Sequence, residues 1–85
     1  MEEKLIGKIT HYFTNIGVGV IEITEGDLKV GDKIHIKGST SDFEQKVGSI
    51  QIEHEKIEKA KKGDAIGLIV DQQVREGDQV YKIVE

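Results

Sequence analysis

The fold of this chain is decided by residues 28–34, which read Leu-Lys-Val-Gly-Asp-Lys-Ile. The same template, with an apolar residue at each end and Gly-Asp near its centre, recurs at residues 60–66 and 74–80. Glycine adopts positive φ at little steric cost and aspartate hydrogen-bonds nearby backbone, so each Gly-Asp pair is suited to closing a turn. The repeats are unequally spaced, which argues against a solenoid. We interpret them as similar turns in one sheet.

Apolar stretches suited to β-strands lie around these turns. Hydrophobic residues make up 36% of the chain, mostly isoleucine and valine, whose β-branched side chains pack well on a pleated surface. Ile34 and Ile36 alternate with polar residues, which is typical of a sheet with one wet face. The predicted elements are strands at Leu5–Phe13, Gly17–Thr24 and Asp32–Lys37, a strand at Phe43–Glu53 with a bulge near Gly48-Ser49, a short strand or helical turn at Ile57–Lys62, and strands after the second and third Gly-Asp pairs.

These elements predict one all-β domain spanning residues 1–85. Short strands without a helix long enough for a parallel crossover indicate an antiparallel sheet. Closing that sheet would remove the edges that invite aggregation. We therefore expect a small closed antiparallel barrel of six to seven strands with Greek-key-type connections.

Composition excludes several classes of function. The 85 residues include no cysteine, which rules out a disulfide framework, a thiolate zinc site and a thiol nucleophile. The first residues, Met-Glu-Glu-Lys, lack the features of a secretion signal, and the apolar runs are too short for a bilayer, so we expect a cytoplasmic protein with no membrane partner. The net charge of −4 disfavours RNA and DNA, since phosphate binding needs Lys or Arg, although a local RNA-binding patch stays open.

No arrangement of residues indicates catalysis. The chain lacks a Gly-x-Ser-x-Gly elbow and a phosphate-loop signature, and Gly17-Val-Gly19 is better explained as a tight hairpin than as a dinucleotide fingerprint. Glu53 and Glu55, on either side of His54, share a strand face and could hold a hard cation, but a solvated pair is the simpler interpretation. We expect no enzyme activity, no cofactor and no metal.

Two segments are candidate partner surfaces. Tyr12 and Phe13 follow His11, and alternation through Ile9 puts His11 and Phe13 on one face and Tyr12 on the other. An exposed ring there would offer a stacking or docking surface, although core packing is the simpler account. The most basic segment contributes Lys56, Lys59, Lys61 and Lys62. These lysines could meet phosphate or an acidic partner, but neighbouring acidic residues balance them, so a solvated turn is the alternative.

Three motifs occur in a recognisable order. Residues 17–38 combine a Gly-rich turn, Leu-Lys-Val-Gly-Asp and a strand ending in glycine; residues 47–50 read Val-Gly-Ser-Ile; residues 57–68 read Ile-Glu-Lys-Ala-Lys-Lys-Gly-Asp-Ala-Ile-Gly-Leu. Together they resemble the second domain of elongation factor Tu and related translational GTPases, over roughly residues 5–84. The resemblance implies a β-barrel that helps seat the end of tRNA near its first turn. Here that turn, residues 16–19, lacks the family's arginine, so we carry over no tRNA-contact residue.

A second resemblance rests on Val30–Gly38, Val-Gly-Asp-Lys-Ile-His-Ile-Lys-Gly, followed by Phe43-Glu-Gln-Lys-Val47. These residues are similar to the C-terminal barrel of collagenase-like peptidases, which implies an accessory module beside a catalytic domain. From the first resemblance we expect a freestanding, non-catalytic binding module that docks on a protein or ribonucleoprotein partner. From the second, the alternative is an accessory barrel subunit for a separately encoded peptidase-like enzyme.

Overall fold

The structure is a computed structural model that describes residues 2–39, 41–52 and 55–84. In those ranges every element of regular secondary structure is a β-strand. None of the described residues forms a helix that could cross a membrane. The strands are β1 Glu2–Phe13, β2 Val18–Ile23, β3 Asp27–Lys29, β4 Lys33–Lys37, β5 Asp42–Lys46, β6 Ile50–Ile52, β7 Glu55–Ile57, β8 Lys59–Lys61, β9 Ala65–Ile69 and β10 Gln79–Val84. The all-β prediction is confirmed.

Eight of these strands form one antiparallel sheet in the order β5-β4-β10-β1-β2-β9-β6-β7. The two ends of the chain meet in it, because Glu2 of β1 lies opposite Val84 of β10. The other two strands, β3 and β8, form a two-stranded ribbon in which Leu28 pairs with Ala60. A slip of one residue in any ladder would turn its buried side chains outward, so burial holds the register.

One hydrophobic core joins the sheet and the ribbon. Leu28 and Ala60 of the ribbon are buried together with isoleucines and valines of the sheet. Each fully buried aliphatic side chain contributes roughly 1.5–3 kcal/mol relative to an exposed one. The most deeply buried side chains are Ile9, Ile21, Ile23, Leu28, Ile34, Ile36, Val47, Ile50, Ile66, Leu68, Val74 and Val80. In β4, buried Ile34 and Ile36 alternate with more exposed residues as predicted.

The three Gly-Asp turns share one geometry. Gly31, Gly63 and Gly77 have φ of 98°, 96° and 91°, in the left-handed region that favours glycine. The Oδ2 atom of each following aspartate accepts a hydrogen bond of 3.0 Å from the backbone N–H three residues earlier. The aspartate N–H donates in turn to the carbonyl of that earlier residue. The turn prediction is confirmed. The aspartate carboxylate adds a second hydrogen bond across each turn, beside the backbone one.

The predicted closed barrel of six to seven strands is wrong, because the sheet is open and has eight strands. The expected strand Phe43–Glu53 ends at Lys46, and the chain resumes as β6 at Ile50, so Gly48-Ser49 separates two strands instead of forming a bulge in one. Its halves pair with different neighbours, β5 with β4 and β6 with β9. The segment Ile57–Lys62 contributes to two short strands, β7 and β8. The ribbon of β3 and β8 packs against the hydrophobic core.

Bulges occur instead in β1. The register of this strand shifts between Leu5 and Gly7 and again between Ile9 and His11. A Cβ at Gly7 would overlap the carbonyl oxygen of Glu22, so the close approach of the two backbones requires glycine there. An extra residue in one strand also reverses the face on which the following side chains lie.

Candidate interaction surface

An exposed apolar patch lies at the end of the β1–β2 hairpin. Phe13 lies opposite Val18, and Val18 lies opposite Ile69 of β9, which places the three side chains on one face. Phe13 is 46% exposed, Ile69 is 58% exposed, and Ile16 in the connecting turn is 66% exposed. We call Phe13, Ile16, Val18 and Ile69 the hairpin patch. Single exposed apolar side chains are ordinary, but a contiguous group of them marks a candidate docking surface.

The two aromatic residues predicted for this surface lie on different faces. Tyr12 is half-buried and packs against the core, whereas the Phe13 ring is 4.5 Å from the ring of His11. The bulge between Ile9 and His11 is the cause, since it lets Ile9 and Tyr12 both contact the core. Simple alternation had put Phe13 and His11 on the face of Ile9. Phe13 therefore belongs to the exposed surface, whereas Tyr12 faces the core.

The predicted basic segment is divided between the two sheets. Lys56 lies in β7 of the large sheet, whereas Lys59 and Lys61 lie in β8 of the ribbon, and Lys62 follows in the turn. The ribbon also brings in Lys29 of β3, directly opposite Lys59. The sequence prediction missed Lys29 because it is far away along the chain. The available signal was its place in the same Gly-Asp template that contains Lys61.

Acidic side chains already engage part of the ribbon's positive charge. The Nζ atoms of Lys59 and Lys82 both lie 3.2 Å from the carboxylate of Asp27, and Lys82 also lies 3.3 Å from Asp32. Hydrogen bonds from Lys59 and Lys82 hold the pKa of Asp27 below its ordinary value. Burial alone would lower the pKa of Lys82, but Asp27 and Asp32 raise it above its ordinary value. The ribbon is thus a mixed surface with a basic majority.

The structure does not test the predicted acidic pair, Glu53 and Glu55. Glu53 and His54 lie outside the described residues, and Glu55 is exposed in β7. Within the ranges that the structure describes, the group of side chains able to share a metal ion is Glu3, His35 and Glu44. Sequence reasoning did not connect these three residues, because they lie on three different strands.

The fold and the motifs place the chain in a known class of β-domain. Residues 17–81 match the family model described as elongation factor Tu domain 2, and the chain belongs to that family. The match contains the three Gly-Asp turns and two of the four residues of the hairpin patch, Val18 and Ile69. The predicted resemblance to the second domain of translation factors is confirmed.

Particular relatives are peptidases. The chain is 42% identical over 81 residues to an uncharacterized protease of Methanocaldococcus jannaschii. The aligned region covers 94% of this chain and 20% of that protein. The chain is 39% identical over 82 residues to a collagenase of Porphyromonas gingivalis, covering 95% of this chain and 23% of that protein. The chain thus spans about a fifth of the length of these relatives.

A solved structure shares the whole fold. The C-terminal domain of a candidate U32 peptidase from Geobacillus thermoleovorans superposes with a TM-score of 0.87 at 15% sequence identity, over 95% of this chain and 93% of that domain. At this level of identity the likeness shows the fold. Together with the two peptidase relatives, it confirms the predicted resemblance to the barrel of collagenase-like peptidases.

Proposed function

We propose that this chain is the accessory domain of a peptidase-type protein, without a catalytic centre of its own. The observation that carries the proposal is the similarity of more than nine tenths of the chain to two peptidases, in which the matching segment is about a fifth of a longer protein. This favours the accessory alternative over a freestanding module. The partner is the catalytic part of the peptidase.

The hairpin patch supplies the docking surface in this proposal. Phe13 is an aromatic side chain of the kind that is enriched at protein interfaces. The contact between His11 Nδ1 and Glu76 Oε1, at 3.7 Å, adds polar groups beside it.

The turn beneath the hairpin patch is held in place before any partner binds. The N–H of Gly17 donates to the carbonyl of Phe13 at 2.9 Å, and the carbonyl of Gly17 accepts from Val70 at 3.0 Å. A surface on a preformed turn loses less conformational entropy when a partner docks. This favours the patch over a loop that would first have to become ordered.

The experiment reconstitutes the two parts in trans. The Porphyromonas gingivalis collagenase is produced without the segment that matches this chain and is mixed with the isolated chain. Binding is measured by calorimetry, and hydrolysis of denatured collagen is measured with and without the chain. We expect a complex, and faster hydrolysis when the chain is present.

Matched variants test the surface. Phe13→Ser and Ile69→Ser should each weaken the complex at least tenfold, since they remove apolar area from its centre. Val30→Ser is the control, because Val30 is also an exposed apolar residue, at 42%, but lies outside the hairpin patch. No complex with the correctly folded truncated collagenase, or equal weakening by all three variants, would contradict the proposal.

A second candidate function is docking on a ribonucleoprotein. It is favoured by membership of the elongation factor Tu domain 2 family and by the outer face of the ribbon, where Lys29, Lys59 and Lys61 share one side. A gel shift with tRNA at low salt tests it. Binding that falls with salt and is lost in a Lys29→Glu, Lys61→Glu variant would favour this function over the accessory role.

A further inference from the structure

A polar cluster on the outer face of the large sheet surrounds His35. Its side chain is 14% exposed and lies directly opposite Glu44 of β5. Glu3 reaches it from β1, and Asp42 from the start of β5. The cluster therefore joins three strands, one of them an end strand of the sheet.

The two ring nitrogens of His35 have different carboxylate partners. Nδ1 lies 2.7 Å from Oε1 of Glu3, and Nε2 lies 2.5 Å from Oδ1 of Asp42. One ligating atom from each of Glu3, His35 and Glu44 lies within 4.8 Å of the other two. Asp42 therefore contacts Nε2, which is not the ring nitrogen that contacts Glu3.

We propose that Glu3, His35 and Glu44 bind a divalent transition-metal ion, for which Zn²⁺ is the best fit, and that Asp42 orients the imidazole. Zn²⁺ is bound in proteins by imidazole nitrogen and carboxylate oxygen, and three protein ligands leave a fourth position for water or a partner's side chain. A metal-bound histidine characteristically donates its other ring N–H to a carboxylate. Asp42 occupies that position on Nε2, so Nδ1 is the ligating atom.

Charge and geometry fit a divalent cation. Three carboxylates, Glu3, Asp42 and Glu44, surround the ring. Two ammonium groups lie beside them: Lys33, whose Nζ lies 3.4 Å from Oε1 of Glu44, and Lys37, which lies opposite Asp42. With a neutral imidazole the cluster therefore keeps a net negative charge, which favours a cation. In a tetrahedral zinc site the ligand atoms are about 3.3 Å apart, so the exposed Glu3 side chain must withdraw by about half an ångström. The ion takes the place of the hydrogen bond between Nδ1 and Glu3.

The experiment uses purified chain, first stripped with a chelator, and titrates it with Zn²⁺ and with Mg²⁺ at neutral pH by calorimetry. We expect one Zn²⁺ per chain, weak or no binding of Mg²⁺, and a higher melting temperature with Zn²⁺, because an ion that binds only the folded state stabilises it. No binding at millimolar Zn²⁺ would overturn the proposal.

Variants distinguish this site from other histidines. His35→Gln should abolish binding, and Asp42→Asn should weaken it by roughly 10–100-fold, the usual cost of losing an outer carboxylate. The control is a double variant, His11→Gln with His54→Gln, which leaves His35 as the one histidine. Unchanged affinity in a folded His35→Gln variant, or loss of binding in the double variant, would overturn the assignment; circular dichroism checks that each variant is folded.

Discussion

The side-chain amide of Gln45 hydrogen-bonds to the backbone of Asp71 in the way that the backbone of a neighbouring strand would. Its Oε1 accepts a hydrogen bond from the backbone N–H of Asp71 at 2.8 Å, and its Nε2 donates to the carbonyl of Ile69 at 2.8 Å. Gln45 is buried, at 6% exposed. These bonds link the end strand β5 to the exit of β9, two strands that are not neighbours in the open sheet.

Replacing this amide should cost stability. Gln45→Leu leaves the Asp71 N–H and the Ile69 carbonyl without their partner, which should lower the free energy of unfolding by about 1–3 kcal/mol. The measurement is urea unfolding followed by circular dichroism. Gln51→Leu, at an exposed position of β6, is the control and should change stability little. Equal effects of the two changes would show that the linkage does not contribute.

The positive φ of the turn glycines gives a second prediction. Gly31→Val should lower the free energy of unfolding by about 1–3 kcal/mol, the usual cost of a strained backbone conformation. No atom of the described chain would lie within 4 Å of the added Cβ, so the cost comes from the φ of 98°. Gly48 also has open space but no positive φ, so Gly48→Val should be tolerated. Equal melting temperatures for the two variants would argue against backbone strain.

Close packing between two loops gives a third prediction. A Cβ at Gly38 would overlap the carboxylate of Asp78, which is buried at 4% exposed. Asp78 cannot withdraw without losing its bond to the N–H of Arg75, so Gly38→Ala should cost about 1–3 kcal/mol. In an Asp78→Ala background the same change should cost much less, as a double-mutant cycle measures. Additive effects would contradict the clash.

The His35 cluster predicts that the free energy of unfolding depends on pH when a chelator is present. Hydrogen bonds to Asp42 and then Glu3 raise the pKa of His35, while Glu44 and Tyr81 lie opposite it on the neighbouring strands. A raised folded-state pKa stabilises the protein fully below the ordinary histidine value of about 6.5, and the contribution is lost as pH rises through the raised pKa.

The pH dependence is measured as the difference in unfolding free energy between the wild type and His35→Gln, from mildly acidic to mildly basic pH. The difference should shrink as pH rises. In stronger acid it should shrink again, because the pKa of Asp42 is lowered by its bond to His35 and that contribution is lost as pH falls through the lowered value. A difference that does not vary with pH would contradict the pairing.

Much of the local structure could be predicted from residues close together in the chain. The Gly-Asp turns depend on bonds between residues three apart, such as Lys29 and Asp32, so the motif alone contains the interacting groups. The alternation of Ile34 and Ile36 likewise identified a buried face. The family resemblance followed from the order of these motifs, which is local information repeated along the chain.

Tertiary structure decided which strands meet. An open sheet instead of a closed barrel, the pairing of Lys29 with Lys59 and the approach of Glu3 to His35 all depend on residues distant in sequence. Strand patterns specify which side of a strand is apolar but not which strand lies beside it, and the bulge before His11 reversed even that side for Tyr12. By itself the sequence determined the turns and the apolar faces, since their energies are local; the surfaces that a partner or an ion would contact were decided by long-range packing.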